Sequence, residues 1–437
     1  GILDPLSSPY NTSSIHDIHG ANVAVDLFNK KGGVLGRPVM ILEADDASNP
    51  DSVVKAAMKF IKEDRVDVLM GTFNGDCALA VSALAQKENT LFMVTGAYLP
   101  ELTGVACNRR TFVFMPNARM MAQAVAPHIA KAYGVRWYMI TAATVDGKGA
   151  AQAMQDAGKS QGVDFIGETI TPFVTINFAP AFTEARVKNP TAIILNLYGW
   201  DLVHALKGYT KLELANDKIG VGDMISDEQI GRPLGYADNA GIWGLIWDPK
   251  INTDSSRRFI QGVIDKYNHT PTSRCYLGYA AMMQILEAMQ RAGSTDTAGL
   301  IKALEGQEFN GLKVGKSSFR AWALNICRIF SSARPMEKNS DSGITRFWQP
   351  LQGSPLWWGI ARKAAAICDV LGRRAGASLT RRPGSEGIYP RRYLPMAASF
   401  SFFPSSFISP AFFMASCAFV PLTLCFTSPP SFFTFSA

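Results

Sequence analysis

The chain has 437 residues, of which 47% are hydrophobic and 18% charged, and its formal net charge is +7. This composition is typical of a globular protein of two or three domains. Residues 342–437 contain nine basic and two acidic side chains, so they account for the whole net positive charge. Residues 1–341 contain 34 basic and 34 acidic side chains. The balanced part offers no basic surface, and we therefore expect no nucleic-acid partner.

The first hundred residues alternate between strand and helix patterns. Residues 1–5 are typical of the end of a strand, and we expect that a leader peptide upstream has been removed. Ile15, Ile18, Val25 and Phe28 keep a helical period that ends at the basic and glycine residues 30–33. Strand patterns follow at 38–43, 66–70 and 91–94, and helix patterns at 51–64 and 77–89.

The alternation continues in a second stretch of similar size. Helices are predicted at 118–133, 148–161 and 178–188, and strands at 137–140, 165–169, 192–195 and 218–221. Near-continuous apolar strands separated by helices indicate parallel sheets covered on both faces, so the predicted fold class is α/β with two doubly wound, Rossmann-like lobes.

The pattern after residue 248 is helical, with predicted helices at 254–267, 275–292 and 296–305. These helices need a sheet to cover, so we expect the chain to return to the first lobe. The predicted first lobe is 1–117 plus 250–320, and the second is 118–249 plus 321–341.

Several short segments, taken in order and spacing, give the chain its likeness to a known family. They are the Ser-Ser-Pro-Tyr segment 7–10, the Gly-rich turn 32–38, the segment 71–82, residues 95–103, and the weaker Asp146 with Gly147. Over residues 1 to about 341 the chain resembles the leucine/isoleucine/valine-binding family, the type 1 periplasmic solute-binding proteins of ABC importers. The resemblance implies two lobes joined by three hinge crossings, a small-molecule ligand of the amino-acid or organic-acid class, and permease partners in the membrane.

The loops that follow the strands are also where an open parallel sheet binds its ligand. The resemblance and this rule together predict a ligand site between the lobes and no catalytic residues. The predicted site residues are Ser8, Tyr10, Asn74, Gly75, Asp76, Thr95, Gly96, Ala97, Asp146, Tyr198, Trp200 and Asp223.

Some of these residues have a specific predicted role beside a purely structural alternative. Residues 74–76 precede a helix whose amino end could hold a carboxylate, or Asp76 simply caps that helix. Tyr198 and Trp200 could form aromatic walls, or Trp200 packs in the core. Asp223 matches the acid that grips a ligand ammonium in the amino-acid binders of the family, or it is a solvated loop acid.

Other chemistry is not expected. His16 and His19 share a helix face, but no carboxylate or thiol accompanies them at ligand spacing, so we interpret them as surface residues and predict no metal and no cofactor. Gly311 and Gly315 are spaced one residue too closely for a phosphate loop. Cys77, Cys107, Cys275 and Cys327 are interpreted as buried thiols, although one disulfide is an alternative.

Residues 342–437 differ from the rest in composition, and we predict that they are disordered or translated out of frame; a genuine Pro/Ser-rich appendage is the alternative. Pro404, Pro410 and Pro421 interrupt the apolar runs, which argues against a membrane span. The predicted protein is a monomeric periplasmic or secreted binding protein and not an enzyme. The competing function is a ligand-sensing regulator built on the same fold.

Overall fold

The computed structural model describes residues 1–225, 228, 234, 241–309, 312–313, 317–319, 328–331 and 344–345. All of them fall within the compact unit Gly1–Gln352. The tail prediction for 342–437 therefore lies outside the described residues, except at 344–345.

Strands and helices alternate along the described chain. The strands are Ile2–Asp4 (β1), Glu43–Asp45 (β2), Val68–Gly71 (β3), Leu91–Val94 (β4), Thr111–Val113 (β5), Arg136–Ala142 (β6), Asp164–Thr171 (β7), Ala192–Asn196 (β8), Gly220–Asp223 (β9), Ile242–Gly244 (β10), Glu308–Phe309 (β11), Ser317–Phe319 (β12), Arg328–Ser331 (β13) and Ile344–Thr345 (β14). The helices are Asn11–Asn29 (α1), Pro50–Lys62 (α2), Gly75–Lys87 (α3), Ala118–Tyr133 (α4), Val145–Lys159 (α5), Ala179–Val187 (α6), Gly199–Lys211 (α7), Asp254–Tyr267 (α8), Ser273–Ala292 (α9) and Thr297–Leu304 (α10), and a 3₁₀ turn lies at Pro100–Thr103.

The first lobe is built on a sheet with the strand order β11-β12-β13-β5-β4-β3-β1-β2. The pairs from β2 to β13 are parallel, and β12 and β11 add antiparallel strands at one edge. Every residue of β3 and β4 is buried. This is the burial that continuous apolar strands predict for a parallel sheet covered on both faces.

The second lobe has a sheet with the order β14-β10-β9-β8-β6-β7. Its pairs from β7 to β10 are parallel, whereas β14 is antiparallel to β10. Tyr138, Phe182, Leu206 and Trp243 belong to a hydrophobic core on this sheet that is separate from the main core. The two sheets and their helices form two doubly wound lobes of the predicted class.

Helix α9 packs lengthwise against α1. A Cβ atom at Gly20 would overlap the carbonyl oxygen of Cys275, and one at Gly278 would overlap that of Asp17. The two helices therefore approach each other backbone to backbone, which only glycine at these two positions permits. Since α1 precedes the second strand of the first sheet, this packing holds the late helices on the first lobe.

The described strands pass between the two sheets three times. The chain leaves the first sheet after β5, returns after β10, and passes again to the second sheet between β13 and β14. The sequence assigned 321–341 to the second lobe, but β13 within that segment pairs with β5 of the first sheet. The reason is that β5 has an open side there, and a parallel strand satisfies its backbone groups.

The cysteines differ from the expectation in one respect. Cys77 and Cys275 are free and buried, as interpreted from the sequence, whereas Cys107 is disulfide-bonded. Among the described residues, no helix is both long and apolar enough to cross a membrane.

Candidate functional site

The first side of the candidate site consists of the loops that leave β3 and β4. Ala97 donates its backbone N–H to the carbonyl of Thr72, with an N···O distance of 2.9 Å. A Cβ atom at Gly96 would lie 2.7 Å from the carbonyl oxygen of Thr72, so this close contact between the two loops requires glycine. Asn74 ends the first loop by capping α3, since its Oδ1 accepts from the N–H of Cys77 at 3.1 Å.

Asp146 of the second lobe reaches this end of α3. The N–H of Gly75 donates to Asp146 Oδ2 at 2.9 Å, in a buried hydrogen bond between the lobes. Burial raises the pKa of Asp146 to about 7, although the Gly75 hydrogen bond opposes the rise. A side chain at position 75 would collide with this carboxyl group, because its Cβ would lie 2.7 Å from Asp146 Oδ1.

These contacts concern the helix end for which a carboxylate-binding role of residues 74–76 is predicted. The N–H groups of Gly75 and Cys77 are bonded to side chains of the chain itself, and Asp76 is exposed on the first turn of α3. The sequence could not reveal this, because the acid that occupies the helix end comes from the other lobe.

Two aromatic pairs also join the lobes. Tyr10 stacks on Phe173, with ring centroids 5.5 Å apart, and Tyr98 lies against Tyr198 at 5.7 Å. Gly199 has a positive φ of 55°, and a Cβ there would lie 2.7 Å from the carbonyl oxygen of Pro9. The lobes are therefore in contact along these loops, in a closed arrangement.

Asp223 ends β9 and is fully buried. Neither of its carboxyl oxygens makes a hydrogen bond of ordinary geometry with a described residue, and burial raises its pKa well above the usual range, although the backbone N–H of Met224 opposes the rise. The pKa of Tyr198 is raised mainly by burial and, as the second cause, by the charge of Asp223. A buried polar atom without a partner costs about 1 to 3 kcal/mol, so this carboxyl group is suited to a donor supplied from outside the chain.

Tyr98 and Tyr198 lie in the same buried region as the two acids. Burial raises the pKa of both phenols well above the usual value, and the two hydroxyl groups influence each other. Neither hydroxyl makes a hydrogen bond of ordinary geometry with a described residue. Both phenols thus remain protonated and can act as donors.

The remaining predicted residues are placed as follows. Ser8 Oγ accepts from the hydroxyl of Ser48 at 2.9 Å, within the first lobe. Thr95 is buried, and its hydroxyl donates to Asp17 Oδ2 at 2.9 Å. Trp200 is 40% exposed and lies beside His204, so it is not brought to the buried cluster.

Sequence reasoning missed Tyr98, Asp17 and Arg274. Tyr98 follows the predicted site residue Ala97 directly, so its position in the loop after β4 could have indicated that it belongs to the site. Asp17 and Arg274 lie within helices; Arg274 stacks its guanidinium over Phe73 at 4.6 Å and donates to the carbonyl of Gly96 at 3.4 Å. Their positions depend on how α1 and α9 pack, which periodicity does not specify.

A separate cavity lies at the opposite, amino ends of β1 and β3. Its lining includes Met40, Val66, Met282 and Met289. It contains none of the predicted site residues, so it is distinct from the cleft between the lobes.

Comparison with known proteins shows the family to which the chain belongs. A family model described as "Periplasmic binding protein" matches residues 1–324. A Leu/Ile/Val-binding protein of Rhizobium johnstonii is 30% identical over 303 residues, which cover 68% of this chain and 80% of that protein.

Solved structures are similar to the chain at the level of the fold. A periplasmic binding protein from Burkholderia mallei superposes with a TM-score of 0.69 at 21% identity, covering 76% of this chain and 86% of its own. A solute-binding protein of an ABC transporter from Rhodopseudomonas palustris, in complex with 3,4-dihydroxybenzoic acid, gives 0.68 at 18% identity and covers 76% and 89%.

Proposed function

Because this chain belongs to the periplasmic binding protein family, we propose that it is the solute-binding subunit of an ABC importer and captures a small neutral amino acid between its lobes. The name of the Leu/Ile/Val-binding relative supports this ligand class. The neighbour bound to a dihydroxybenzoic acid makes an aromatic acid the alternative ligand.

The carboxyl group of Asp223 is the observation on which the ligand class rests. Both of its oxygens are buried, and neither makes a hydrogen bond of ordinary geometry with a described residue. An ammonium group satisfies such a carboxylate by a charge-assisted hydrogen bond and also favours its ionised form. An aromatic acid has no cationic group to offer it.

The two phenols complement the other end of an amino acid. Tyr98 and Tyr198 can donate to the ligand carboxylate, since both are protonated over the physiological pH range. Asp146 bonds Gly75 across the cleft and would hold the lobes closed around the ligand. Closure of this kind buries the ligand and gives a membrane permease a closed form to recognise.

The proposed setting follows from the family. A periplasmic binding protein works outside the cytoplasmic membrane and passes its ligand to permease subunits. We propose the same location and the same partners for this chain, and we assign it no catalytic step.

Calorimetric titration of the full chain with L-leucine, L-alanine and benzoate tests the proposal. We expect a neutral amino acid to bind the native protein at one site per chain. Asp223→Asn keeps the side-chain volume but removes the negative charge, and we expect it to weaken amino-acid binding by ~2–5 kcal/mol.

Asp217→Asn is the matched control. Asp217 lies before the amino end of β9 and forms a surface ion pair with Arg186 at 2.7 Å, so the same substitution is made outside the site. Its substitution should leave binding unchanged. If benzoate binds with a higher affinity than leucine, and if Asp223→Asn leaves the benzoate affinity equal or higher, the ligand is an aromatic acid and not an amino acid. Binding of neither class would contradict the proposed function.

A further inference from the structure

A cluster of imidazole and thiol groups lies on the first lobe, away from the cleft between the lobes. His16 and His19 are on α1, His269 follows α8, and Cys275 is in the first turn of α9. The close backbone contact between α1 and α9 at Gly20 brings these side chains together. His16 is only 5% exposed, so the interpretation of this helix face as a solvated surface was wrong.

We propose that this cluster is a zinc site, with His16, His269 and Cys275 as ligands and His19 as the fourth. One ligand atom from each of the first three residues lies within 4.8 Å of the other two. Among the described residues, these three form the group of histidine, cysteine and acidic side chains whose ligand atoms lie this close to one another.

The separation of His16 and Cys275 fits tetrahedral zinc. His16 Nδ1 lies 3.5 Å from Cys275 Sγ. A tetrahedral ion with a Zn–N bond of about 2.0–2.1 Å and a Zn–S bond of about 2.3 Å places these two atoms about 3.5 Å apart. This edge of the site is thus already formed.

His269 is oriented as a ligand by its second ring nitrogen. Its Nδ1 lies 2.9 Å from the carbonyl oxygen of Thr270, to which it donates when Nδ1 carries the proton. That tautomer leaves Nε2 without a proton of its own, and a backbone carbonyl is a usual partner for the other nitrogen of a zinc-bound histidine.

His19 completes the set. His19 Nδ1 and His269 Nε2 lie 2.9 Å apart, and the hydrogen bond between them needs one shared proton. Zinc would take the place of that proton, and the distance between His19 Nδ1 and His269 Nε2 would increase to about 3.3 Å. His19 also stacks on Tyr267 at 3.6 Å, which limits the rotation of its ring.

The donor set selects the kind of metal. Imidazole and thiolate ligands suit zinc, whereas calcium and magnesium require oxygen ligands. Binding would release the proton of the Cys275 thiol to solvent, whereas the proton between His19 and His269 would move to Nε2 of His19, so that both imidazoles stay neutral. His19 and His269 are partly exposed, so the ion has a route from solvent to the buried pair His16 and Cys275.

Zinc titration of the chelator-treated full chain against a chromophoric indicator tests the site. We expect one zinc ion per chain and a higher melting temperature with zinc. His269→Gln should weaken zinc binding by at least about tenfold, because it removes a ligand from a partly exposed position that tolerates substitution. With Co²⁺ in place of zinc, the native protein should show a thiolate charge-transfer band that Cys275→Ala abolishes.

His204→Gln and Cys77→Ala are the controls, since each removes a potential ligand outside the cluster, and both should bind zinc as the native chain does. The proposal is overturned if the native chain binds no zinc at an equimolar concentration. It is equally overturned if His204→Gln weakens binding as much as His269→Gln, or if the Co²⁺ complex lacks the thiolate band.

Discussion

Several buried carboxyl groups hold protons more tightly in the folded chain than they would in an unfolded one. Burial raises the pKa of Asp17 and Asp146 to about 7 and that of Asp46 and Asp201 to about 6, from a usual value of 3.8. Between pH 4 and pH 7 the folded state therefore binds more protons than the unfolded state, so the free energy of unfolding falls as pH rises.

We expect the ligand-free protein to be more stable at pH 5 than at pH 8, by a few kcal/mol, since a tenfold difference in proton affinity corresponds to about 1.4 kcal/mol. Urea denaturation at both pH values measures the difference. Asp146→Asn should reduce the difference, because the amide does not titrate. A native protein that gains stability from pH 5 to pH 8 would show that these groups are not buried as described.

For single residues, the sequence predicted which loops lie at the candidate site but not the direction in which each side chain points. The rule that ligands bind after parallel strands selected Asp146, Tyr198 and Asp223, which the structure brings to one buried region. The same rule selected Asp76 and Trp200, which face solvent. Whether a residue at the start of a helix points inward depends on where the preceding loop ends. The spacing of residue types along the sequence does not determine that position.

Among the elements, α1 and α9 make a contact that leaves no room for a side chain at two positions, Gly20 and Gly278. A Cβ atom at Gly278 would overlap the carbonyl oxygen of Asp17, which is backbone and cannot rotate away. We expect Gly278→Ala to lower the free energy of unfolding by about 1–3 kcal/mol, measured by urea denaturation.

Gly149→Ala provides the comparison, because a Cβ there meets only Leu99 Cδ2 at an ordinary 3.7 Å. This substitution within α5 should be neutral or stabilise the protein by up to about 1 kcal/mol through helix propensity. If both variants lose the same stability, the backbone contact of α1 with α9 is not a special feature of the fold.

Periodicity predicted the order of the elements but not every boundary. The expected strand at 38–43 is found as Glu43–Asp45, because the residues that pair with β1 in parallel register begin at Glu43. Helices α3 and α5 begin two and three residues before the predicted positions, because Asn74 caps α3 and Thr144 caps α5. Strand pairing is a long-range property, whereas a cap is local.

In the whole molecule, the lobes meet through contacts that no single segment of sequence could predict. Gly75 bonds Asp146, Tyr10 stacks on Phe173, and Tyr98 meets Tyr198. Each pair joins a first-lobe loop to a second-lobe loop. The alternation of strands and helices implied two lobes, but the partners across the cleft depend on how far the lobes close.

Hydrogen–deuterium exchange of the full chain with and without saturating L-leucine tests most directly whether both lobes enclose the ligand. We predict slower exchange in both lobes at once, in peptides covering 72–77 and 95–99 of the first and 144–147 and 197–200 of the second. The cavity lined by Met40, Val66 and Met282 should show no change. Protection confined to one lobe, or centred on that cavity, would contradict a site between the lobes.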